Sequence, residues 1–302
     1  MSETKSTVDL EYLSQWVGRE QHRSDDIHPW KASALSAAFD LDKVFFEGDT
    51  LPAAYQWMYF VDTPKASDVG ADGHPKTGGF LPPAPFPRRM WAAGSMNLLH
   101  PLVCGQTAEK ISTIRSVDFK SGRSGELFFV TVEHKTLQKG KTCLEEVQNL
   151  VYRAMPPVLA AGEEPKPMPA GVEAPIDADW REPAQADPVL LFRYSAMTSN
   201  NHRIHYDRDY AKTAEHYPAL VVHGPLQATL LANFLSENLP DHSLVSFDFR
   251  AQRPIFDVDT FTLCGKQDGE KVSLWTESHD GYIGMWVDAV VQPNKSSPEE
   301  KV

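Results

Sequence analysis

The spacing of hydrophobic positions changes along the chain, and each pattern predicts a different element. Leu10–Val17 and Trp30–Phe39 have the spacing of short helices, and Pro29 precedes the second helix, where proline suits the first turn. Later segments rich in Val, Ile, Thr and Phe are separated by turn-like residues. They are Thr107–Val117, Leu127–His134 and Cys143–Tyr152. The first half therefore predicts helices followed by long antiparallel strands.

The second half has the same order with a clearer pattern. Leu226, Leu230 and Phe234 are spaced four residues apart and predict a helix from Pro225 to about Leu239, with a broad apolar face suited to burial. Four strand-like segments follow, with Asp-Gly turns at 268–269 and 280–281. They are Leu244–Arg250, Val258–Lys266, Val272–His279 and Tyr282–Val291. A central helix against an antiparallel sheet is expected.

A proline-rich segment divides the chain into two units. Eight of the 23 prolines lie between Pro156 and Pro188, with almost no apolar periodicity. This composition predicts an N-terminal unit at 1–155, a linker at 156–188 and a C-terminal unit at 189–302. The similar order of elements in the two units suggests an internal duplication. Within the first unit, Val69–Met96 is too long and irregular for a passive connection and is interpreted as a binding loop or a packed crossover.

The composition limits the partners and the cellular compartment that are expected for the protein. The 302 residues carry a net charge of −12 without a dense basic run, which argues against nucleic acid or an anionic membrane as a partner. Cys104, Cys143 and Cys264 stand alone, so neither a disulfide framework nor a zinc site is indicated. The first residues lack the features of a signal peptide, and no stretch of eighteen apolar residues occurs. A cytoplasmic protein is expected.

The chemistry is concentrated in the segment 194–226. It contains YSAMTSNNHRIHYD, then Asp209-Tyr210-Ala211, then His223-Gly224-Pro225. This pattern resembles the MaoC-like hydratases and dehydratases, which add water to acyl thioesters or remove it. Their signature ends in a histidine, here His205, followed by Asp-x-x-Tyr-Ala and by a His-Gly pair that opens the central helix.

The first half extends the resemblance over nearly the whole chain. The segments GFLPP (79–83) and PRRMWA (87–92) are similar to the branch acting on itaconyl-CoA and mesaconyl-C4-CoA. The resemblance implies an α+β fold called a double hot-dog, in which two fused units each wrap an antiparallel sheet around a central helix. It also implies that the N-terminal unit lacks the catalytic motif.

The motif departs from the family at three positions. Asn200 stands where the family has its catalytic Asp, His202 replaces an Asn, and Arg203 replaces a Pro. An amide exchanges no proton at neutral pH, so Asn200 can only orient water or substrate. His205 must carry more of the proton transfer, for which an imidazole is suited.

Two further residues are weaker candidates for the missing acid. Asp207 lies two residues after His205, but it directly precedes a predicted helix from Arg208 to Glu215, where capping of the first turn is the stronger interpretation. His202 competes as a second acid-base residue, and a role in loop packing is the alternative.

The His-Gly pair predicts an oxyanion site. Gly224 has no side chain to keep a thioester carbonyl from a backbone N–H at the positive end of a helix, and tight helix packing is the alternative explanation for this glycine. His223 is interpreted as a structural hydrogen-bonding residue more than as a catalyst.

Three arginines are candidates for substrate binding. A guanidinium binds a carboxylate through two hydrogen bonds, so Arg203 would suit a dicarboxylic acyl group, with a salt bridge inside the protein as an equal alternative. Arg88 and Arg89 are a second possibility, for the carboxylate or for CoA phosphates.

The leading hypothesis is a hydro-lyase that reversibly hydrates a short C4-dicarboxylic enoyl-CoA. No phosphate loop, serine-hydrolase elbow or metal-binding motif is found, so neither a cofactor nor a metal is expected, and CoA is part of the substrate. A 3-hydroxyacyl-ACP dehydratase is the alternative enzyme, disfavoured by the acidic net charge, since the carrier is itself acidic. A non-catalytic acyl-CoA-binding hot-dog protein is the alternative from another class. A homodimer is left open.

Overall fold

The strands of the protein form one continuous antiparallel sheet. The computed structural model describes residues 8–122, 125–160, 163–165 and 167–294. The ten strands are β1 (Glu20–Asp26), β2 (Arg88–Leu98), β3 (Thr107–Gly122), β4 (Gly125–Gln138), β5 (Lys141–Arg153), β6 (Trp180–Gln185), β7 (His242–Ala251), β8 (Thr260–Asp268), β9 (Lys271–Ser278) and β10 (Ile283–Pro293). Their order across the sheet is β1-β3-β4-β5-β2-β7-β10-β9-β8-β6.

Five α-helices accompany the sheet in the described part of the chain. They are α1 (Leu10–Ser14), α2 (Pro29–Ala38), α3 (Pro188–Thr198), α4 (Arg208–Thr213) and α5 (Gly224–Asn238). Asp187 begins α3 by accepting a hydrogen bond from Leu190 N–H, with Pro188 in the first turn. Among the described residues, no helix is long and apolar enough to cross a membrane.

The two halves repeat one topology. Read from the outer edge to the middle, the first half runs β1-β3-β4-β5-β2 and the second runs β6-β8-β9-β10-β7. In each half, a strand and a proline-initiated helix precede the four remaining strands. The duplication inferred from the order of elements is therefore present in the topology.

Pairing of β2 with β7 joins the halves. The register runs from Ala93 opposite Arg250 to Asn97 opposite Ser246. A single hydrophobic cluster contains buried residues of both halves, among them Leu35 of α2 and Leu226 of α5. The halves therefore share a core as well as a sheet.

The N-terminal half differs from the prediction of a central helix in each unit. In the second half, α5 lies against β7, β8, β9 and β10. The corresponding stretch of the first half, 39–87, holds two short 3₁₀ turns, Tyr55–Met58 and Ala66–Asp68. Its many prolines and glycines oppose a long helix. One half thus has a helix over its sheet, and the other leaves part of its sheet uncovered.

Two predicted boundaries are also wrong. Strand β6 lies inside the segment 156–188 that was predicted to be linker, and it pairs with β8. Pro183 is tolerated because β6 is an edge strand. The irregular segment predicted at Val69–Met96 ends at Pro87, because β2 begins at Arg88.

Gly94 tests the joint between the halves. A methyl group at this position would lie 2.5 Å from Phe249 Cζ and 2.8 Å from the Val147 carbonyl oxygen. We predict that Gly94→Ala lowers the free energy of unfolding by roughly 1–3 kcal/mol, the usual cost of overpacking. Thermal and urea unfolding would measure it. Gly79→Ala is the matched control, because a methyl group there meets open space. Equal stability of the two variants would contradict the packing described here.

Candidate active site

A large cavity lies between the two halves. Its volume is about 1760 Å³, and both halves contribute to its wall. Six of the nine site residues predicted from the sequence line it: Arg88, Arg89, Asn200, His202, His205 and Gly224. The other three, Arg203, Asp207 and His223, do not line it.

Residues 199–207, which we call the motif loop, are held in place by backbone contacts. Helix α3 ends at Thr198, and the next residue, Ser199, adopts the left-handed conformation. His205 then lies in a 3₁₀ turn, and its Nδ1 is 2.7 Å from the Val221 carbonyl oxygen. Val221 N–H in turn donates to the carbonyl oxygen of Ile204 at 3.0 Å. The backbone therefore holds the His205 ring at Nδ1 and pairs its turn with residue 221.

Loop 69–87 packs against the same motif. Gly73 has a φ of +94°, and a methyl group there would lie 1.8 Å from the carbonyl oxygen of Asn201. Arg203 N–H donates to the Asp72 carbonyl oxygen at 2.9 Å. The irregular segment of the first half is therefore a packed crossover that closes one side of the motif loop.

His205 is a neutral base. A carbonyl oxygen only accepts hydrogen bonds, so Nδ1 carries the proton and Nε2 keeps its lone pair. Burial, and then the neighbouring imidazoles of His223 and His202, hold the pKa of His205 well below its usual value of 6.5. At neutral pH His205 can therefore accept a proton through Nε2.

His223 supports that ring. The two imidazoles stack with their centroids 3.6 Å apart, and His223 Nε2 lies 2.8 Å from the Ser195 hydroxyl. Burial, and then the charge at His202, lower the pKa of His223 to about 3. His223 is fully buried, and its interpretation as a structural residue stays a prediction.

Gly224 begins α5 and faces the cavity. The first N–H groups of a helix have no acceptor within the helix, and they lie at its positive end. A methyl group at 224 would meet its nearest neighbour, the Trp91 carbonyl oxygen, at 3.6 Å, which is an ordinary contact. Close packing within the protein therefore does not require this glycine.

Asn200 lies beside the catalytic candidates. Its side-chain oxygen accepts a hydrogen bond from the backbone N–H of His202 at 3.2 Å. Its NH₂ group is then left to donate to a molecule in the cavity. The predicted role in orienting water or substrate is compatible with this geometry and stays a prediction.

The structure shows the partners of Arg203 and Asp207. Asp207 Oδ1 accepts from Tyr210 N–H at 3.0 Å and caps α4, as the stronger interpretation predicted. Its Oδ2 binds Arg203 Nη2 at 2.7 Å. Arg203 also lies over the ring of Tyr210. These side chains bind each other and do not line the cavity, which favours the salt bridge over substrate binding for Arg203 and capping over acid catalysis for Asp207.

A buried ionic cluster next to the motif was not predicted. Glu215 is 3% exposed, and its carboxylate binds Arg88 Nε at 2.6 Å and His202 Nε2 at 2.9 Å. Burial alone would raise the pKa of Glu215, but the contacts with His202 and Arg88 outweigh burial and lower it. The carboxylate is therefore ionised. Arg88 is paired with Glu215, whereas the sequence had suggested that it binds the substrate.

Arg89 is the remaining arginine candidate. Its half-buried side chain lines the cavity, and it forms no ion pair within the described part of the chain. After burial, its positive charge is the next cause of the low pKa of His74, about 3. Arg89 therefore places an unneutralised charge near the histidines.

One group of described residues has the composition of a metal site. Ligand atoms of Asp72, His74 and His202 lie within 4.8 Å of one another. However, Asp72 and His74 bind each other at 2.7 Å, and His202 binds Glu215. Protein contacts already account for these three side chains.

The N-terminal sheet gives the cavity a polar surface that sequence reasoning also missed. Lys110, His134 and Gln148 lie on β3, β4 and β5 and line the cavity where the first half has no long helix. His134 contacts the Ser112 hydroxyl at 2.8 Å and Gln148 Oε1 at 3.3 Å. Burial lowers the pKa values of Lys110 and His134. This part of the wall is suited to polar groups more than to a long apolar chain.

Comparisons with known proteins agree with this geometry. The sequence profile of the family described as Hydroxyacyl-thioester dehydratase type 2 (Htd2) matches residues 54–257. The chain is 42% identical over 273 residues to Mesaconyl-C(4)-CoA hydratase of Chloroflexus aurantiacus, covering 89% of this chain and 94% of that protein.

Two solved structures show the fold. The crystal structure of a MaoC-like dehydratase from Phytophthora capsici has a TM-score of 0.68 at 14% identity and covers 96% of this chain and 100% of its own. A Mycobacterium tuberculosis protein described as having a double hot-dog fold has a TM-score of 0.55 at 10% identity and covers 91% of this chain and 96% of its own. The predicted α+β double hot-dog is confirmed.

Gly224 provides a test of the oxyanion site. We predict that Gly224→Ala changes the free energy of unfolding by less than about 1 kcal/mol, since alanine suits a helix and finds room here. The methyl group would hinder a thioester carbonyl from reaching the N–H, so kcat/KM for an enoyl-CoA should fall about 10-fold or more. Steady-state kinetics and thermal unfolding measure the two effects. Full activity would contradict an oxyanion site at this residue.

Proposed function

Because the chain belongs to the hydroxyacyl-thioester dehydratase type 2 family, we propose that it reversibly adds water to the double bond of a short C4-dicarboxylic enoyl-CoA. The product is the 3-hydroxyacyl-CoA. The observation that carries the proposal is the neutral imidazole of His205 in one cavity with the N-terminus of α5 at Gly224. The substrate class is supported by the relative that acts on mesaconyl-C4-CoA.

The site supplies two requirements of hydration. The thioester oxygen would accept a hydrogen bond from Gly224 N–H, which stabilises the negative charge that develops when water attacks the β-carbon. His205 Nε2 would take a proton from that water, which Asn200 orients through its amide. The reaction involves no change of oxidation state overall, and CoA enters as part of the substrate.

The polar wall of the N-terminal half supports a short, polar acyl group. Lys110, His134 and Gln148 occupy the sheet face that the first half leaves uncovered. A long hydrocarbon chain placed against them would bury polar groups without partners, which is costly. Arg89 is the residue that we propose to bind the acyl carboxylate.

We also propose a cytoplasmic location. Cys104, Cys143 and Cys264 are all free and buried. Unpaired cysteines are typical of proteins in a reducing compartment.

Arg89 tests the substrate class. Wild-type protein should hydrate mesaconyl-C4-CoA at least about 100-fold more efficiently than crotonyl-CoA, and Arg89→Leu should remove most of that preference. Loss of a buried charge partner costs about 2–5 kcal/mol of binding, or roughly 30-fold to several thousand-fold in kcat/KM. Loss of enoyl-thioester absorbance follows both reactions.

Arg203→Leu is the matched control for that experiment. Because Arg203 binds Asp207 outside the cavity, its replacement should leave the ratio of the two kcat/KM values unchanged. Equal efficiency of the wild type on both substrates would contradict the proposed substrate class. An unchanged ratio in Arg89→Leu would contradict the role of Arg89, and no hydration by the wild type would favour the acyl-CoA-binding alternative.

His205 determines the expected pH dependence. Since its pKa is held well below 6.5, its base form persists as the pH falls through 6.5, and the acid limb of the kcat/KM profile should lie below that value. Asn200→Asp places a carboxylate near the imidazole, favours its charged form and should shift this limb to higher pH.

His205→Ala should lower kcat by about 10²–10⁴. An acid limb at 6.5 in the wild type, or near-full activity of His205→Ala, would contradict this mechanism.

A further inference from the structure

Hydration requires two proton transfers, and His205 accounts for one. Water loses a proton when its oxygen bonds to the β-carbon, and the α-carbon must then gain one. Asn200 is an amide and cannot supply it. His205 could make both transfers in turn, but a second acid-base group within reach of the same substrate would give each transfer its own residue.

We propose that His202 is this second catalytic acid-base residue and that Glu215, held by Arg88, is its positioning residue. The inference rests on the proposed function. It deepens that function by assigning both proton transfers to histidines and by giving the buried ionic cluster a role.

The geometry of His202 differs from that of a packing residue. Its side chain is 4% exposed, and the accessible part belongs to the cavity wall. Its ring lies edge-on to that of His205, with centroids 5.5 Å apart and an interplanar angle of 87°. Two imidazoles in this arrangement can act on neighbouring carbons of one bound acyl group.

Glu215 fixes which nitrogen of this ring carries a proton. The carboxylate accepts a hydrogen bond through Oε1 from His202 Nε2, so Nε2 carries a proton and Nδ1 is the nitrogen left to exchange one. Glu215 Oε2 accepts from Arg88 Nε. A carboxylate at Nε2 orients the imidazole and directs proton exchange to Nδ1.

The other groups around His202 carry charges of both signs. His74 lies with its centroid 4.4 Å away, and its pKa, about 3, leaves it neutral at pH 7. Asp72 binds His74. Burial would raise the pKa of Asp72, but its contacts with His74 and the charge at His202 lower it, which keeps a second carboxylate ionised nearby. The positive charges near the ring are those of Arg88, which is paired with Glu215, and Arg89.

The contrast between the two histidines assigns their roles. His205 has a carbonyl at Nδ1 and histidines around it, which favours its neutral form. His202 has a carboxylate at Nε2. Different hydrogen-bond partners on two imidazoles of one site suit one ring to accept a proton and the other to donate one.

The proton transfers balance over one turnover. An O–H bond of water breaks as His205 Nε2 takes the proton and oxygen bonds to the β-carbon, while the electrons of the double bond move to the thioester oxygen at Gly224. The thioester carbonyl re-forms as the α-carbon takes a proton from His202 Nδ1. His205 then returns its proton to His202 through solvent in the cavity. Dehydration runs the same steps in reverse.

Kinetics of His202→Gln test the catalytic role. Glutamine keeps an NH₂ donor for Glu215 but cannot transfer a proton, so kcat for the best enoyl-CoA should fall about 10²–10⁴-fold while KM changes less than about 3-fold. His22→Gln, at an exposed surface histidine, is the matched control and should be unaffected. A kcat within tenfold of the wild type would overturn the proposal while leaving the proposed function intact. Absence of hydration by the wild type would remove both.

Glu215→Gln tests the positioning role with a measurement that needs no substrate. In ¹⁵N-histidine NMR spectra, the signals missing from His202→Gln, or from His202→Asn if the first variant does not fold, identify His202. Glu215→Gln should change the ¹⁵N shifts of this ring, because the carboxylate no longer holds the proton on Nε2, and should lower kcat about 10-fold or more. Unchanged ¹⁵N shifts, or a kcat equal to that of the wild type, would overturn the role of Glu215.

Discussion

The pairing of β2 with β7 is the interaction on which the rest of the structure depends. It joins two five-stranded sheets into one and fixes the first half against the second through five residue pairs. Arg88 and Trp91 lie on β2, whereas Glu215 and Gly224 belong to the second half. The buried contact of Arg88 with Glu215 and the approach of the Trp91 carbonyl to Gly224 both require this register. Breaking such a buried ion pair from one side costs about 3–5 kcal/mol, so the halves and the site are stabilised together.

The same duplication explains the cavity. Both halves have the same strand order, but only the second keeps a long helix over its sheet. The first half has the proline- and glycine-rich segment 39–87 instead, which leaves Lys110, His134 and Gln148 facing an open space. One unit thus provides the catalytic motif at the start of a buried helix, and the other provides the volume and polarity that a substrate needs. This division accounts for the presence of the motif in one half alone.

Several elements could be predicted from the sequence because their patterns are local. Helix α5 and strands β3 to β5 and β7 to β10 have strong apolar periodicity, and the motif residues His205 and Gly224 line one cavity. Strands β1 and β6 were missed because both are polar edge strands, and β6 contains Pro183.

Glu215 was also missed as a site residue, because a glutamate near the end of a short helix gives no local sign that an arginine 127 residues away neutralises it. For Arg203, substrate binding and an internal salt bridge were equal alternatives, because spacing does not reveal that its charge is paired with Asp207.

The central claim is that a thioester lies at the N-terminus of α5 between His205 and His202. A crystal structure with a non-hydratable analogue of a C4-dicarboxylic enoyl-CoA tests it most directly. The account predicts the thioester oxygen within about 2.7–3.1 Å of Gly224 N, with His205 Nε2 and His202 Nδ1 facing the β- and α-carbons. An analogue bound with its thioester away from Gly224, or with either histidine turned from the acyl group, would contradict it.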